Sequence, residues 1–290
     1  MHALDEAGYS HYNRQYKQRL PTILSLSAID WAVCRIKPLI LPRKKKTKEA
    51  FMYNIDTPTL TTLKNKNIKA IFFDMDGILF DSMPYHAEAW HKALLHFGLE
   101  FSPYEAYLHE GRTADSTIDA IYNRLYGHDA DRTTKDEIYA LKSSIFGGYP
   151  APKPIEGIAE VLQWVKEQNI HLLVVTGSAQ VSLFEKLQEY FPAIFERNHI
   201  VSAFEVKHGK PHPEPYLTAL KIAGVDAEEA LVIENAPLGI RSGRAAGIFT
   251  IGINTGILTR DDLKEAGANL VLDNMQQFRE LLKDLNFVHR

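Results

Sequence analysis

Five short apolar runs do most to limit what this chain can fold into: residues 68–73, 170–175, 230–233, 249–253 and, more weakly, 270–272. Each is too short for a helix and nearly continuous, as strands buried on both faces are. Amphipathic stretches of helical period lie between them, at 157–168, 180–189, 213–223 and 239–246. Strand and helix alternate, which predicts a parallel α/β sheet covered by helices on both sides.

One interval breaks the rhythm. About 95 residues separate the first run from the second, far more than a crossover connection needs. That interval is itself helical in pattern. Ala87, Trp90, Leu94 and Phe97 share one face, as do Ile118, Ile121 and Leu125, then Ile138, Leu141 and Ile145. The expected organisation is a catalytic core from 63–82 and 153–290, with an inserted helical cap at 83–152. A cap there stands over the end of the first strand and can close on a substrate.

Ligands of open parallel sheets bind outside the carboxyl ends of the strands. The first run is followed by Asp74-Met75-Asp76-Gly77 and the second by Thr176-Gly177-Ser178. Lys210-Pro211 precedes a later helix, and Glu234-Asn235 follows the next run. Each piece alone is commonplace: a turn, a helix cap, a solvated loop. Their shared placement on one rim makes them a candidate site. Asp74 is the expected nucleophile, attacking phosphorus to form an aspartyl-phosphate. Asp76 is the expected acid for the leaving group and base for the water. Lys210, the Thr176 hydroxyl and local N–H groups, including those near Gly177 and Ser178, would offset the phosphoryl charge. Hard oxygen ligands suit Mg²⁺: the Asp74 carboxylate, the Asp76 backbone carbonyl and the Asn235 side chain.

In this order these residues resemble the four motifs of the haloacid dehalogenase superfamily, over residues 66–285. The match is most specific at Phe73-Asp74-Met75-Asp76-Gly77 and from Val232 to Gly239. Within that superfamily the chain resembles the β-phosphoglucomutase-like group. The resemblance implies a Rossmann-like core with an inserted helical cap, Mg²⁺ dependence, and the same roles for Asp74, Asp76, Thr176 and Lys210. It also implies a sugar-contacting role for His86. Two departures stand out. Asn235 replaces an aspartate found in many relatives, which leaves a non-catalytic metal- or phosphate-binding regulator as a rival. Ala114 stands where β-phosphoglucomutases carry a phosphate-gripping arginine.

The loop His109-Glu110-Gly111-Arg112-Thr113 bears on substrate. Glu110 either restores the missing charge as a metal ligand or is a solvated acid paired with Arg112. Arg112 either forks a second phosphate or holds the loop. The loop and residues 234–239 together resemble the inorganic pyrophosphatase branch of the group, in which such a glutamate binds Mg²⁺. Inorganic pyrophosphate is therefore the first expected substrate, with a sugar-phosphate phosphatase or β-phosphoglucomutase as the alternative.

Bulk properties exclude other classes. A net charge of −3 gives no whole-molecule signal for nucleic acid or an anionic membrane. No apolar stretch is long enough to span a bilayer. The single cysteine, Cys34, rules out an intramolecular disulfide and fits a reducing cytoplasm. A monomer is expected, since a mobile cap needs room. Residues 1–62 read as a disordered or loosely attached extension, with Met52 as a second candidate start. A basic run at Arg43-Lys44-Lys45-Lys46 leaves open a membrane-surface or partner-binding arm.

Overall fold

The computed structural model describes residues 56–179, 183–285 and 287. Contacts divide the chain into Met1–Lys44 and Lys45–Arg290. The first unit lies outside the described residues, as do Cys34, the basic run and Met52.

Six parallel strands form one sheet: β1 Ala70–Phe73, β2 His171–Val175, β3 Ile200–Val201, β4 Ala230–Glu234, β5 Phe249–Ile253 and β6 Leu270–Leu272. Their spatial order is β3-β2-β1-β4-β5-β6. The chain therefore reverses its direction of winding beside β1, at the centre, where an open sheet of this kind leaves a crevice. The expected Rossmann-like parallel α/β core is what the chain forms. β3 was not foreseen, because two residues are too few to show a period.

Alternate strand residues face opposite sides. Ile71, Phe73, Val174 and Ile233 pack with Ile158, Val161 and Val165 of α6 (Ile158–Glu167) and with Phe278 and Leu281 of α11 (Met275–Lys283). Phe72, Leu173, Val175 and Val232 pack with Tyr216 and Ala219 of α8 (Glu214–Ala223). The helix from residue 180 is observed as α7, Leu183–Tyr190. Helix α9 is Pro237–Ala245, and α10 is Arg260–Glu265.

The segment before the core needs a correction. Thr57–Lys64 is a helix, α1, with Asp56 capping it through Thr59 N–H at 2.9 Å. Its Leu60 and Leu63 are buried in the main core. Leu60 falls in the expected extension and its burial contributes roughly 1.5–3 kcal/mol relative to exposure, so residues 56–62 are attached rather than loose.

Between β1 and α6 lie four helices: α2 Met83–His96, α3 Pro103–Leu108, α4 Ala114–Tyr126 and α5 Arg132–Gly147. Ala87, Leu94, Ile118, Ile121 and Ile138 form an apolar cluster that continues into Ile240, Leu258 and Leu263 of the core. Leu125 is an exception to its expected face and is 44% exposed. No helix among the described residues is long and apolar enough to cross a membrane.

Candidate active site

Strand register assembles the site. Phe73 pairs with Val174 on one side and Ile233 on the other. Asp74, the next residue, therefore emerges between Val175 and Glu234. Its N–H is held by the Ile233 carbonyl at 3.0 Å. Lys210 enters the space between them. Its ammonium donates to Asp74 Oδ1, to the Val175 carbonyl at 2.9 Å and to Glu234 Oε1 at 2.7 Å. Lys210 is 1% exposed, so all three donors are used inside the protein. Burial alone would strip its proton, but Asp74 and Glu234 outweigh burial and raise its pKa.

Glu234 is the member that sequence reasoning left without a role. Besides Lys210 it accepts from the Tyr216 hydroxyl at 2.9 Å and from the N–H groups of Asn235 and Ala236, at 3.1 and 3.2 Å. It fixes the lysine and the turn that carries Asn235. Gly239 makes room for it: a Cβ there would lie 1.7 Å from Glu234 Oε1.

Glu110 is not a solvated loop acid. It is 7% exposed, and both its oxygens accept from Asn235 Nδ2 at 3.0 Å. Burial raises its pKa well above the ordinary value, and Asp74 and Glu234 add to the rise. Asp74 is raised by burial too, against the pull of Lys210. Asp74 and Glu234 thus share one buried ammonium, and Glu110 is a third buried carboxylate beside them that has none. Among the described residues, Asp74 Oδ2 and Asn235 Oδ1 are buried and have no hydrogen-bond partner. Oxygen donors, surplus negative charge and two orphaned oxygens fit a hard divalent cation such as Mg²⁺.

Asp76 has a different environment. Ser82 Oγ donates to its Oδ1 at 2.5 Å, and His86 Nε2 lies 3.3 Å from the same oxygen. Lys142 Nζ sits 2.9 Å from His86 Nδ1. An ammonium has no lone pair, so Nδ1 must accept and Nε2 carries the ring proton toward Asp76. Burial lowers the His86 pKa and keeps the ring neutral. Burial opposes ionisation of Asp76 as well, but His86, Ser82 and Lys142 outweigh it and hold the group ionised. His86, expected to contact sugar, thus orients Asp76. Lys142 was missed. The available signal was a lysine four residues after Ile138, on the apolar stripe of α5, where it is buried.

The remaining candidates line a cavity of about 480 Å³ with Asp74, Asp76, His86 and Glu110: Arg112, Thr113, Thr176, Gly177 and Ser178. Lys210 and Asn235 are buried and are not among the residues that line it. Thr176 Oγ1 accepts from Ser178 N–H at 3.1 Å, which leaves its own O–H to donate. Thr113 caps α4 through Ser116 N–H at 3.3 Å. Arg112 Nε is buried without a partner among the described residues. The loop of Glu110 to Thr113 closes tightly: a Cβ on Gly177 would lie 2.8 Å from the Gly111 carbonyl oxygen, and one on Gly111 2.7 Å from Lys210 Cδ.

The pattern described as haloacid dehalogenase-like hydrolase matches residues 71–253, which run from β1 to the end of β5. The chain belongs to this family. A solved structure of a candidate β-phosphoglucomutase from Bacteroides vulgatus is 46% identical, with a TM-score of 0.75, over 79% of this chain and 98% of that one. The phosphorylated carbohydrates phosphatase of Thermotoga maritima is 29% identical over 227 residues, covering 75% of this chain and all of that protein. Validoxylamine A 7'-phosphate phosphatase of Streptomyces hygroscopicus is 28% identical over 212 residues, 73% of this chain and 96% of that one. These names bear on phosphorylated carbohydrates rather than pyrophosphate, so they support the alternative substrate reading better than the first.

Proposed function

We propose that this member of the family is a Mg²⁺-dependent phosphohydrolase working through an aspartyl-phosphate on Asp74. The observation that carries it is Asp74 itself: it lines the cavity, one oxygen is bound by Lys210, and the other is buried without a hydrogen-bond partner among the described residues. Asp74 attacks phosphorus, and the bond to the leaving oxygen breaks as Asp76 in its acid form gives that oxygen a proton. Water then attacks the acyl-phosphate, giving its proton to Asp76, and phosphate leaves with Asp74 restored. Lys210 and the Thr176 hydroxyl hold oxygens of the transferring group. The Asp74 carboxylate, the Asp76 carbonyl, Asn235 Oδ1 and Glu110 would hold Mg²⁺. The bound ion supplies the charge that lets a carboxylate approach a phosphoryl group. Residues 83–152 serve as the cap, and Arg112 reaches the part of the substrate farthest from Asp74.

For the substrate, relatives and cavity size together support a phosphorylated sugar or polyol. A second reading, inorganic pyrophosphate, is favoured by two features. The buried Glu110 carboxylate occupies depth that a sugar ring would use. Asp76 is held ionised, which suits a leaving phosphate that departs without a proton better than an alkoxide that needs one. Phosphate release with Mg²⁺, comparing kcat/KM for pyrophosphate, glucose 1-phosphate, fructose 1-phosphate and glycerol phosphate, separates the two. A lead for the sugar and polyol esters rejects pyrophosphate, and a lead for pyrophosphate rejects the esters. No Mg²⁺-dependent release from any of them, or release that survives Asp74→Asn, sinks the phosphohydrolase itself.

A further inference from the structure

The loop that delivers Lys210 carries chemistry on its outer side that phosphoryl transfer does not use. His208 and His212 flank Lys210, two residues away on each side, and Glu214 follows at the start of α8. One ligand atom from each of the three lies within 4.8 Å of the others. His208 Nδ1 is 2.8 Å from Glu214 Oε2, and His212 Nδ1 is 3.9 Å from the same oxygen. The two imidazole rings sit with centroids 4.6 Å apart.

The carboxylate is held in place from behind. Glu214 accepts from the N–H groups of Lys207 and His208, at 2.9 and 3.0 Å. These two bonds fix the carboxylate in place beside the rings. The loop beneath is anchored as well: Ser242 Oγ donates to the His212 carbonyl at 2.6 Å. Both imidazoles face water, with side chains 64% and 50% exposed, so an ion could reach them without passing through the active site.

We propose that His208, His212 and Glu214 form a second metal site, for a transition ion of the Zn²⁺ class, that braces the loop holding Lys210. Two imidazoles and one carboxylate make the donor set that Zn²⁺ takes with a water in the fourth position. Imidazole nitrogen disfavours Mg²⁺, so this site and the oxygen-lined one would sort different ions. Ligand atoms 2.8–4.8 Å apart need only small side-chain rotations to reach a common centre. Binding would tie together the two ends of the five-residue stretch from His208 to His212. Gly209 in that stretch abuts the cap loop, since a Cβ on it would lie 3.1 Å from the Thr113 nitrogen. The bound ion would thus stiffen both the lysine and the contact the cap makes on closing.

The test uses untagged full-length protein, cleared of metal and then saturated with Mg²⁺. Co²⁺ serves as the probe, because four-coordinate Co²⁺ with nitrogen ligands absorbs strongly in the visible, whereas Co²⁺ replacing Mg²⁺ at an all-oxygen site absorbs weakly. The expected result is strong bands that saturate at one equivalent, are displaced by Zn²⁺, and vanish in H208N/H212N. Asparagine keeps the hydrogen-bonding shape of Nδ1 but loses the imidazole, and Mg²⁺-dependent phosphate release reports whether the variant is folded. If the double variant is not folded, H208N alone, at an exposed position, must weaken Co²⁺ binding at least tenfold. Zn²⁺ should raise the Tm of the wild type and not of the variant. Weak absorption only, or strong bands that persist without the histidines, would overturn the proposal.

Discussion

Asn235 donates through one nitrogen, Nδ2, to both carboxylate oxygens of Glu110, joining residues 125 positions apart by two bonds of 3.0 Å. The amide therefore ties the loop after α3 to the end of β4. Its own oxygen, Oδ1, is buried and engaged by nothing else among the described residues. In Glu110→Ala that tie is gone, and so is a candidate ligand. The Mg²⁺ concentration for half-maximal activity should rise at least about tenfold. A Mg²⁺ titration unchanged from wild type would remove Glu110 from the metal site.

Asp74→Asn should abolish phosphate release from every substrate, with the protein still folded. Lys210 keeps Glu234 Oε1 and the Val175 carbonyl, so the buried ammonium is not orphaned. Circular dichroism and an acid-quench search for phosphoenzyme check both halves. Residual turnover within tenfold of wild type would exclude a covalent step on this residue.

Lys142→Met should lower kcat about tenfold to a hundredfold. It removes the donor that fixes the His86 tautomer, and with it the alignment of Asp76. Burial lowers the Lys142 pKa to about 8, against the opposing pull of Asp76. Wild-type activity should therefore decline as pH rises through about 8, and the variant should lack that limb. Matching profiles in the two proteins would place the ionisation elsewhere.

His109 should make the fold acid-sensitive. Burial, helped by Arg112 and Arg124, lowers its pKa from 6.5 to about 4. The folded state thus favours the neutral ring. Its contribution is fully present above pH 6.5 and is lost as pH falls through about 4. The full shift corresponds to up to about 3 kcal/mol. His109 Nδ1 has no partner among the described residues, and the ring meets Phe101 edge-on with centroids 5.5 Å apart. His109→Phe should therefore keep the packing and flatten the fall of Tm between pH 6.5 and 4. An equal fall in both proteins would refute this.

Gly239→Ala should cost stability and activity together. The new methyl would displace the Glu234 carboxylate, and with it the acceptors of Lys210, Tyr216 and two backbone N–H groups. A loss of about 1–3 kcal/mol is expected from overpacking alone, read from urea unfolding. Full activity in a folded Gly239→Ala protein would show that Glu234 does not position the lysine.

The sheet was legible in the sequence because both faces of each strand are covered, so the apolar runs are continuous and short. Asp74 and Thr176 were legible because each follows such a run directly, and Asn235 because it lies one residue further on. β3 was hidden by its length. The inner end of the extension was misjudged because Leu60 and Leu63 are only two apolar residues in a polar stretch, and their burial depends on partners distant in sequence. Glu234 and Lys142 escaped for a related reason. An acid at a strand end and a lysine on a helix both look solvated until the fold buries them beside a partner. The joint reach of Asp76, His86 and Lys142 across two helices and a turn has no local spacing to read.

The meeting of Gly111 with Gly177 has a further consequence. The loop after α3 and the loop after β2 meet there main chain against main chain, with no side chain to swing aside. A path through this point would need the two backbones to move apart, since no rotamer change can open it. A methyl gained at Gly177 would have to push the two loops apart, and one at Gly111 would have to shift Lys210 itself, so both positions are closed to side chains.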